Sequence, residues 1–242
     1  MMKTEKAGVS EAGNDRRPVL VFDVNETLLD IDALVPLFQR MFGRADRMRE
    51  WFAQLILYSQ ALSLSGLDAT FEALGGGVLK MLGEIHGVAI SNDDARALGE
   101  AVSTLPVHAD VAPALDRLAG AGFRMVTLTN SSGGLARDAL ADAGVADRFE
   151  HRFTVAKVGR FKPAPATYRQ VTDTLAIEPD RCLMIAAHVW DTLGAQAMGW
   201  RSALITRSVN APLEVGNVPR PDFVATDLTE LSSQLISRFG NK

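Results

Sequence analysis

Short runs of consecutive apolar residues recur along the chain, and such runs are typical of strands buried on both faces of a parallel sheet. Each is four to six residues long, except for a weaker run of three near the end of the chain. We predict a strand at each of them: Val19–Val24, Arg124–Leu128, Cys182–Ala187, Ser202–Ile205 and Phe223–Ala225.

Segments with apolar residues at helical spacing lie between these runs, and two of them stop at glycines that are typical of helix ends. They are Val111–Ala119, Leu135–Ala143 and Ala164–Leu175. Strands that alternate with such helices indicate β-α-β units. We therefore predict an α/β fold with a doubly wound parallel sheet.

A long stretch after the first strand shows helical periodicity and no convincing strand. Met48–Leu64 carries a broad apolar face, Phe71–Ile85 is interrupted by Gly75–Gly77, and Ser91 or Asn92 is placed to cap a last helix through Val102. We read this stretch as an inserted helical cap. The predicted division is a disordered tail at 1–17, a core at 18–32 and 106–242, and the cap at 33–105.

Composition narrows the class of protein. The chain has 242 residues, 47% hydrophobic and 22% charged, with a formal net charge of -4. This balance argues against a nucleic-acid partner, and a single cysteine excludes an intramolecular disulfide and a cysteine-rich zinc site. No apolar run approaches the length of a membrane span, and the polar first residues do not resemble a signal peptide, so we expect a cytoplasmic protein with no membrane partner.

Polar side chains follow the apolar runs, at the edge of the sheet where parallel α/β folds bind their ligands. Two carboxylates, a lysine, hydroxyls and an amide should converge there. They are Asp23, Asn25, Thr27, Thr129, Asn130, Lys162, His188, Trp190 and Asp191. Such a set can position an anionic substrate and supply a nucleophile whose pKa the lysine restrains.

The order and spacing of these residues resemble the haloacid dehalogenase superfamily. The matching motifs are Asp23-Val24-Asn25-Glu26-Thr27-Leu28, Leu128-Thr129-Asn130, Lys162-Pro163 and Trp190-Asp191, and the resemblance runs from about residue 18 to the end, including the cap. It implies that Asp23 is the nucleophile and that Thr27 supports it. It also implies that Thr129 and Asn130 orient the substrate.

Two branches of this superfamily catalyse different reactions, and each requires its own set of residues. The Mg²⁺-dependent phosphatases need a second carboxylate two residues after the nucleophile, where this chain has Asn25, and a further acid beside Asp191 that is missing here. The sequence resembles more closely the branch of the 2-haloacid dehalogenases, which carry Trp-Asp at Trp190-Asp191 and a tyrosine at the position of Tyr168.

That resemblance implies hydrolysis of a small anionic 2-haloacid through an ester on Asp23, without a cofactor or metal. Lys162 would pair with Asp23, while Asp191 would hold Lys162 or orient the hydrolytic water. The carboxylate of the substrate would bind to Thr129, Asn130 and the backbone N–H at Val24.

Three positions depart from the pattern of this branch. Asn25 replaces an aromatic residue, and Phe52 stands where a cap arginine usually receives the halide. Arg49, three residues earlier on the same helical face, is the candidate substitute for that arginine. His188 replaces an asparagine; a protonated ring would supply positive charge or polarise water, and the alternative is a hydrogen-bonded loop histidine.

Two other functions stay open at this point: an Mg²⁺-dependent phosphatase acting on a small phosphate ester, and a binding protein that has kept the fold but lost turnover. The apolar cap helix around Tyr58–Leu64 is compatible with a homodimer.

Overall fold

The molecule is built on a parallel six-stranded sheet with the strand order β3-β2-β1-β4-β5-β6. The computed structural model describes residues 17–132, 138–207 and 209–240, so the predicted tail lies outside the described residues except for its last one. The strands are β1 (Val19–Phe22), β2 (Met125–Thr129), β3 (His151–Thr154), β4 (Cys182–Ala186), β5 (Arg201–Ile205) and β6 (Phe223–Ala225). The predicted α/β fold with a doubly wound parallel sheet is confirmed.

Nine α-helices connect and cover these strands within the described residues. Those between β1 and β2 are α1 (Val35–Phe42), α2 (Arg47–Ser65), α3 (Phe71–His86), α4 (Asn92–Ser103) and α5 (Val111–Gly120). The later ones are α6 (Ala139–Asp142), α7 (Pro165–Leu175), α8 (Val189–Ala197) and α9 (Leu228–Phe239). The division into core and cap at residues 33–105 stays a prediction.

Alternate residues of the central strand face opposite sides of the sheet, and each side has its own apolar cluster. Leu20 and Phe22 pack with side chains of α5, α9 and the helices α1–α4. Val19 and Val21 pack with Tyr168 of α7 and with α8. Because these strands are buried on both faces, apolar residues follow one another in their sequences without alternation.

Strand β3 is missing from the prediction because it lies at the edge of the sheet. Its residues His151 and Arg152 are exposed, so the segment has no apolar run. Pairing with β2 alone is enough to hold it, with Val126 opposite His151 and Thr129 opposite Thr154.

The predicted interruption at Gly75–Gly77 is wrong, since α3 continues through all three glycines. Gly75 lies against α2: a Cβ added there would be 3.4 Å from the ring of Trp51, whose indole N–H donates a 2.9 Å hydrogen bond to the Gly75 carbonyl. The glycine thus allows two helices to approach closely, which offsets its low helix propensity.

The start of α4 agrees with the sequence prediction, whereas α6 is described only in part. Ser91 caps α4 in a capping box with Asp94, as one of the two predicted alternatives required. The predicted helix Leu135–Ala143 is described only from Ala139 to Asp142, and its first residues through 137 lie outside the described residues.

Two surface properties bear on partners. Among the described residues, none of the helices has both the length and the apolar composition that a membrane crossing requires. Leu57, Leu64 and Leu67 are exposed near the end of α2. A homodimer through this face stays a prediction.

Candidate active site

Asp23 is the first residue after β1 and lies at the carboxyl edge of the sheet. Its backbone N–H donates to the Ile185 carbonyl of β4, and its side chain is buried with 5% of the residue exposed. The Thr27 hydroxyl donates a 2.7 Å hydrogen bond to Oδ2 of Asp23 and accepts one from the backbone N–H of Ala187. Thr27 therefore ties the loop after β1 to the loop after β4 and fixes the orientation of the Asp23 carboxylate.

Lys162 lies between two carboxylates in the interior of the molecule. Its ammonium group donates to Oδ1 of Asp23 at 2.8 Å, to Oδ2 of Asp191 at 2.6 Å and to the carbonyl of Leu128 at 2.8 Å. All three donors of a lysine are thus used, and its side chain has no exposed surface.

Asp191 is fully buried at the start of α8, and both of its oxygens are occupied. Oδ2 accepts from Lys162, and Oδ1 accepts a 2.7 Å hydrogen bond from the Tyr168 hydroxyl. The structure thus brings Asp23, Lys162, Asp191 and Tyr168 into one network, in which Asp191 holds Lys162 against Asp23.

The charges of this network keep Asp23 ionised. Burial alone would raise the pKa of Asp23, but the positive charge of Lys162, assisted by His188, holds it well below its usual range. Burial would likewise lower the pKa of Lys162, but Asp191 and Asp23 raise it above its usual value. At neutral pH the site therefore holds an ionised carboxylate beside a charged lysine.

A cavity of about 560 Å³ lies beside β2 and β3, next to the residues that follow Asp23 in the chain. Much of its wall comes from residues 138–140 and 149–154, and Asp23, Lys162 and Asp191 do not line it. Val24, Asn25, Thr129 and Ser131 line it together with Val102 of α4. The Asn25 amide donates to the Ser131 hydroxyl at 3.2 Å, so polar groups line this part of the cavity.

Asn130 follows β2 and bonds to the loop that carries Lys162. It does not line this cavity; its side-chain oxygen accepts a 2.9 Å hydrogen bond from the backbone N–H of Lys162. The contact fixes the lysine loop against the end of β2. The structure therefore shows Asn130 positioning Lys162, and its predicted contact with the substrate stays a prediction.

Three aromatic rings pack together next to Asp23 and Lys162, with His188 between the other two and in contact with both. His188 stacks on Trp190 with ring centroids 5.3 Å apart, and Phe52 of α2 packs on the other side of His188 at 5.5 Å. The ammonium group of Lys162 lies 5.7 Å from the centre of the Trp190 ring. Phe52 thus occupies space beside His188 and contributes no charge.

Glu26 is the residue that the sequence reasoning missed. Its side chain is buried beneath His188 and accepts a 2.6 Å hydrogen bond from Nε2 of that ring. Its backbone has a φ of 66°, a left-handed conformation that is rare for glutamate. An acidic residue between two motif residues, together with the unusual His188, was the available signal.

The His188 ring is held in a charged state by the two carboxylates beside it. Burial alone would lower the pKa of His188, but Asp23 and Glu26 raise it to about 9. The ring is therefore a cation at neutral pH, which favours the charged alternative for this residue.

Arg49 lies on α2 but its guanidinium does not face the cavity beside Asp23. It pairs with Glu26 and with Oδ1 of Asp32, the latter at 2.6 Å. Two carboxylates thus engage the cation that was predicted to receive a halide. The halide-binding role of Arg49 stays a prediction, and its two carboxylate partners do not favour it.

We expect Gly194→Ala to destabilise the protein by about 1–3 kcal/mol, because the added methyl would overpack the site. Gly194 of α8 faces the Tyr168 hydroxyl, and a Cβ there would also lie 2.6 Å from the Cβ of Pro163. Urea unfolding measures the decrease in the free energy of unfolding. Gly77→Ala is the matched control, since its Cβ would meet nothing within 4 Å and should stabilise α3 by up to about 1 kcal/mol. Equal effects of the two substitutions would contradict the packing argument.

Comparison with known proteins gives a consistent picture. A family model described as haloacid dehalogenase-like hydrolase matches residues 18–199. The chain is 29% identical over 219 residues to the (S)-2-haloacid dehalogenase H-109 of Pseudomonas putida, covering 90% of this chain and 97% of that protein. It is 28% identical to the (S)-2-haloacid dehalogenase 1 of Pseudomonas sp. strain CBS-3, covering 89% and 95%.

A solved structure shows the same fold. The L-2-haloacid dehalogenase of Xanthobacter autotrophicus, with chloropropionic acid covalently bound, superimposes with a TM-score of 0.81 at 23% identity. The match covers 92% of this chain and 98% of that one. At this level of identity the likeness supports the fold alone.

Proposed function

The chain belongs to the haloacid dehalogenase-like hydrolase family, and we propose that it hydrolyses the carbon–halogen bond of short 2-haloalkanoic acids through an ester on Asp23. The relatives named as (S)-2-haloacid dehalogenases support this class of reaction, since they match nearly the whole chain. The observation that carries the proposal is the buried Asp23 carboxylate, which Thr27 orients and Lys162 pairs by charge.

In the first step an oxygen of Asp23 attacks the carbon that bears the halogen. The new C–O bond forms as the carbon–halogen bond breaks, and the halide leaves with the electron pair. Lys162 and Thr27 each donate to one oxygen of the carboxylate and orient it for attack. Because a halide departs as a stable anion, this step needs no proton donor.

In the second step water attacks the carboxyl carbon of the ester. The bond between that carbon and the alkyl oxygen breaks; one proton of the water ends on this oxygen, which gives the 2-hydroxy acid, and the other is released to solvent as the Asp23 carboxylate is restored. Lys162, held by Asp191 and Tyr168, stabilises the negative charge that develops on the Asp23 oxygen during attack.

The donor set supports a reaction that does not require Mg²⁺. Such an ion prefers several free oxygen ligands. Here Oδ1 of Asp23 and Oδ2 of Asp191 are bound by the same ammonium group, and Tyr168 takes the other oxygen of Asp191. Asn25 offers an amide that is already bonded to Ser131 where the phosphatases have a carboxylate. Lys162 thus occupies the place that a cation would take.

The carboxylate of the substrate is proposed to bind on the polar side of the cavity, at Thr129, Asn25 and the backbone N–H of Val24. The Thr129 hydroxyl accepts from the backbone N–H of Ser131 at 3.1 Å, so its own proton is available for a substrate oxygen. The halide would then depart toward the rings of Phe52, Trp190 and His188, of which His188 is charged.

We expect the wild-type protein to release halide from a 2-haloalkanoic acid at the same rate with EDTA as with added Mg²⁺. The reason is that Lys162 supplies the positive charge at Asp23 in both conditions. Free halide is measured from fluoroacetate, chloroacetate and both enantiomers of 2-chloropropionate, with a panel of phosphate esters assayed in parallel.

Two results would contradict the proposal. Phosphate release that needs Mg²⁺, with no halide released, would establish the phosphatase alternative. A ligand that raises the melting temperature without any product would indicate the binding protein instead.

A further inference from the structure

The residues that the structure describes cover the reacting carboxylate almost completely. Asp23, Lys162 and Asp191 are each no more than 5% exposed, and none of them lines the cavities around the carboxyl edge of the sheet. A haloacid must therefore pass between the segments that cover Asp23. Because the substrate is an anion and the chain has a formal net charge of -4, a positive charge on its route would speed its entry.

Three cavities lie around this edge, and in two of them the arginines are already paired. Arg152 forms an ion pair with Asp138 on the wall of the 560 Å³ cavity. A cavity of about 490 Å³ contains two arginines, Arg49 and Arg207, and each of them forms an ion pair with a carboxylate. Among the described residues, neither cavity therefore offers an unpaired guanidinium to an anionic ligand.

The third cavity, of about 230 Å³, contains an arginine without a carboxylate partner. Within the described part of the chain, Arg160 donates to the backbone carbonyls of Gly159 at 2.6 Å and Gly66 at 3.5 Å, and it forms no ion pair. An arginine has five N–H donors, so most of them remain available. Its planar guanidinium matches a carboxylate, to which it can donate two parallel hydrogen bonds. The cavity of Arg160 is thus the one of the three that has a place for an anion.

The walls of this cavity suit a short organic acid. Residues 68–71, in the connection between α2 and α3, contribute one part of the wall, and residues between 155 and 161, just before Lys162, contribute another. The rings of Phe71 and Phe161 supply apolar surface, with their centroids 5.8 Å apart. The volume is below the range of about 300–1,000 Å³ that is typical of sites for drug-sized ligands. A carboxylate with a few carbon atoms therefore fits both the charge and the size of the cavity.

The inner end of the cavity reaches the loop that carries Lys162. Asn130 lines the cavity and is only 4% exposed. Its side-chain oxygen accepts from the backbone N–H of Lys162, whereas its side-chain nitrogen makes no hydrogen bond among the described residues. The two N–H donors of this amide are therefore available to an anion that has passed Arg160. Thr129, where the carboxylate of the substrate is proposed to bind, is the preceding residue.

We propose that the cavity of Arg160 is the entrance for the haloacid, and that Arg160 and the Asn130 amide hold its carboxylate in turn on the way to Asp23. This inference rests on the proposed dehalogenase function and adds to it a route for small carboxylates. No covalent bond forms or breaks along the route. Because Arg160 contacts the substrate only during its passage, it determines the rates of entry and exit and not the affinity of the final complex.

Binding of chloroacetate to the non-reacting Asp23→Asn protein measures the route apart from the chemistry. After rapid mixing, tryptophan fluorescence follows the arrival of the acid beside Trp190, whose ring centre lies 5.7 Å from the Lys162 ammonium group. Exchange broadening of the chloroacetate proton signal gives the same two rate constants independently of tryptophan. We expect Arg160→Gln, added to Asp23→Asn, to lower the association and dissociation rate constants by the same factor, about 3–5-fold at low ionic strength. The dissociation constant should not change.

The size of the effect should follow the charge at the entrance. Arg160→Lys keeps the positive charge and should bind chloroacetate at nearly the rate of the Asp23→Asn parent. Asp68→Asn removes an exposed negative charge from the same wall and should speed association. These differences should shrink as added salt shortens the screening length from about 30 Å at 0.01 M to about 3 Å at 1 M. Arg169→Gln removes an exposed arginine of α7 as the matched control, and it should change neither rate constant.

Each other outcome assigns a different role to Arg160. Unchanged association in both Arg160→Gln and Asp68→Asn would overturn the entrance, and a weaker affinity without slower association would place Arg160 in the bound complex. With Asp23 intact, Arg160→Gln should release halide in a single turnover at the wild-type rate when chloroacetate is saturating. A slower single turnover would show that Arg160 acts on the Lys162 loop instead. Absence of halide from the wild-type protein would overturn the proposed function, and the entrance with it.

Discussion

Asp23→Asn is expected to release halide about 10⁴–10⁶-fold more slowly than the wild type, because the amide that replaces the carboxylate is not a nucleophile. The substitution keeps the size of the side chain and its place beside Thr27, where the hydroxyl can still donate to an amide oxygen. Lys162 keeps its hydrogen bonds to Asp191 and to the Leu128 carbonyl. The slower halide release is therefore expected from the missing nucleophile and not from a change in folding.

The control for this variant is Asp116→Asn, which removes an exposed carboxylate of α5 that pairs only with Arg148 among the described residues. It should turn over at the wild-type rate. A single turnover in water enriched in the heavy oxygen isotope adds a sharper test. The ester mechanism places the heavy oxygen in Asp23, whereas direct attack of water on the substrate places it in the product. Label in the product alone would exclude the ester.

The network around Asp23 was largely predictable because its residues follow buried strands. An apolar run that is buried on both faces ends at a definite point, and in a parallel sheet those points meet at one edge. Asp23 after β1 and Thr129 at the end of β2 were located in this way. The pairing of Lys162 with Asp191, by contrast, followed from resemblance, since Lys162 comes from a loop that no periodicity locates.

Three features could not be predicted from local pattern, and each depends on contacts between distant segments. Strand β3 is held by pairing at an exposed edge. The glycines of α3 stay helical because α2 packs against Gly75. The helical position of Arg49 alone predicts a place on the halide side, but its guanidinium pairs with the Glu26 carboxylate and lines a different cavity, of about 490 Å³.

Lys162→Met is expected to destabilise the protein by about 3–5 kcal/mol at neutral pH, the usual cost of removing one partner from a buried ion pair. It also removes the cation that holds Asp23 ready for attack, so halide release should fall below detection. Methionine has a similar length and no charge. Asp23 and Asp191 then face one another in a buried site without a positive charge between them.

The destabilisation caused by Lys162→Met should depend on pH, and the charges of the buried groups determine whether it grows or shrinks as the pH rises. In the wild type the pKa of Asp23 is depressed, so its contribution to stability is present above the unfolded value of 3.8 and is lost as the pH falls. In the variant, burial and mutual repulsion raise the pKa of one of the two carboxyls. The folded variant then gains stability from a bound proton, and it loses that stability as the pH rises through the raised pKa. The difference in the free energy of unfolding between the wild type and Lys162→Met should therefore increase from mildly acidic to neutral pH.

Urea unfolding at several pH values measures this difference in the free energy of unfolding. Lys157→Met removes an exposed lysine and should change the free energy of unfolding by no more than about 0.5 kcal/mol at any pH. Adding Asp191→Asn to Lys162→Met should recover part of the loss, since the second buried charge is gone and the two sites are in direct contact. A loss that is constant with pH, or a double variant no more stable than Lys162→Met, would show that Lys162 acts through packing and not through its charge.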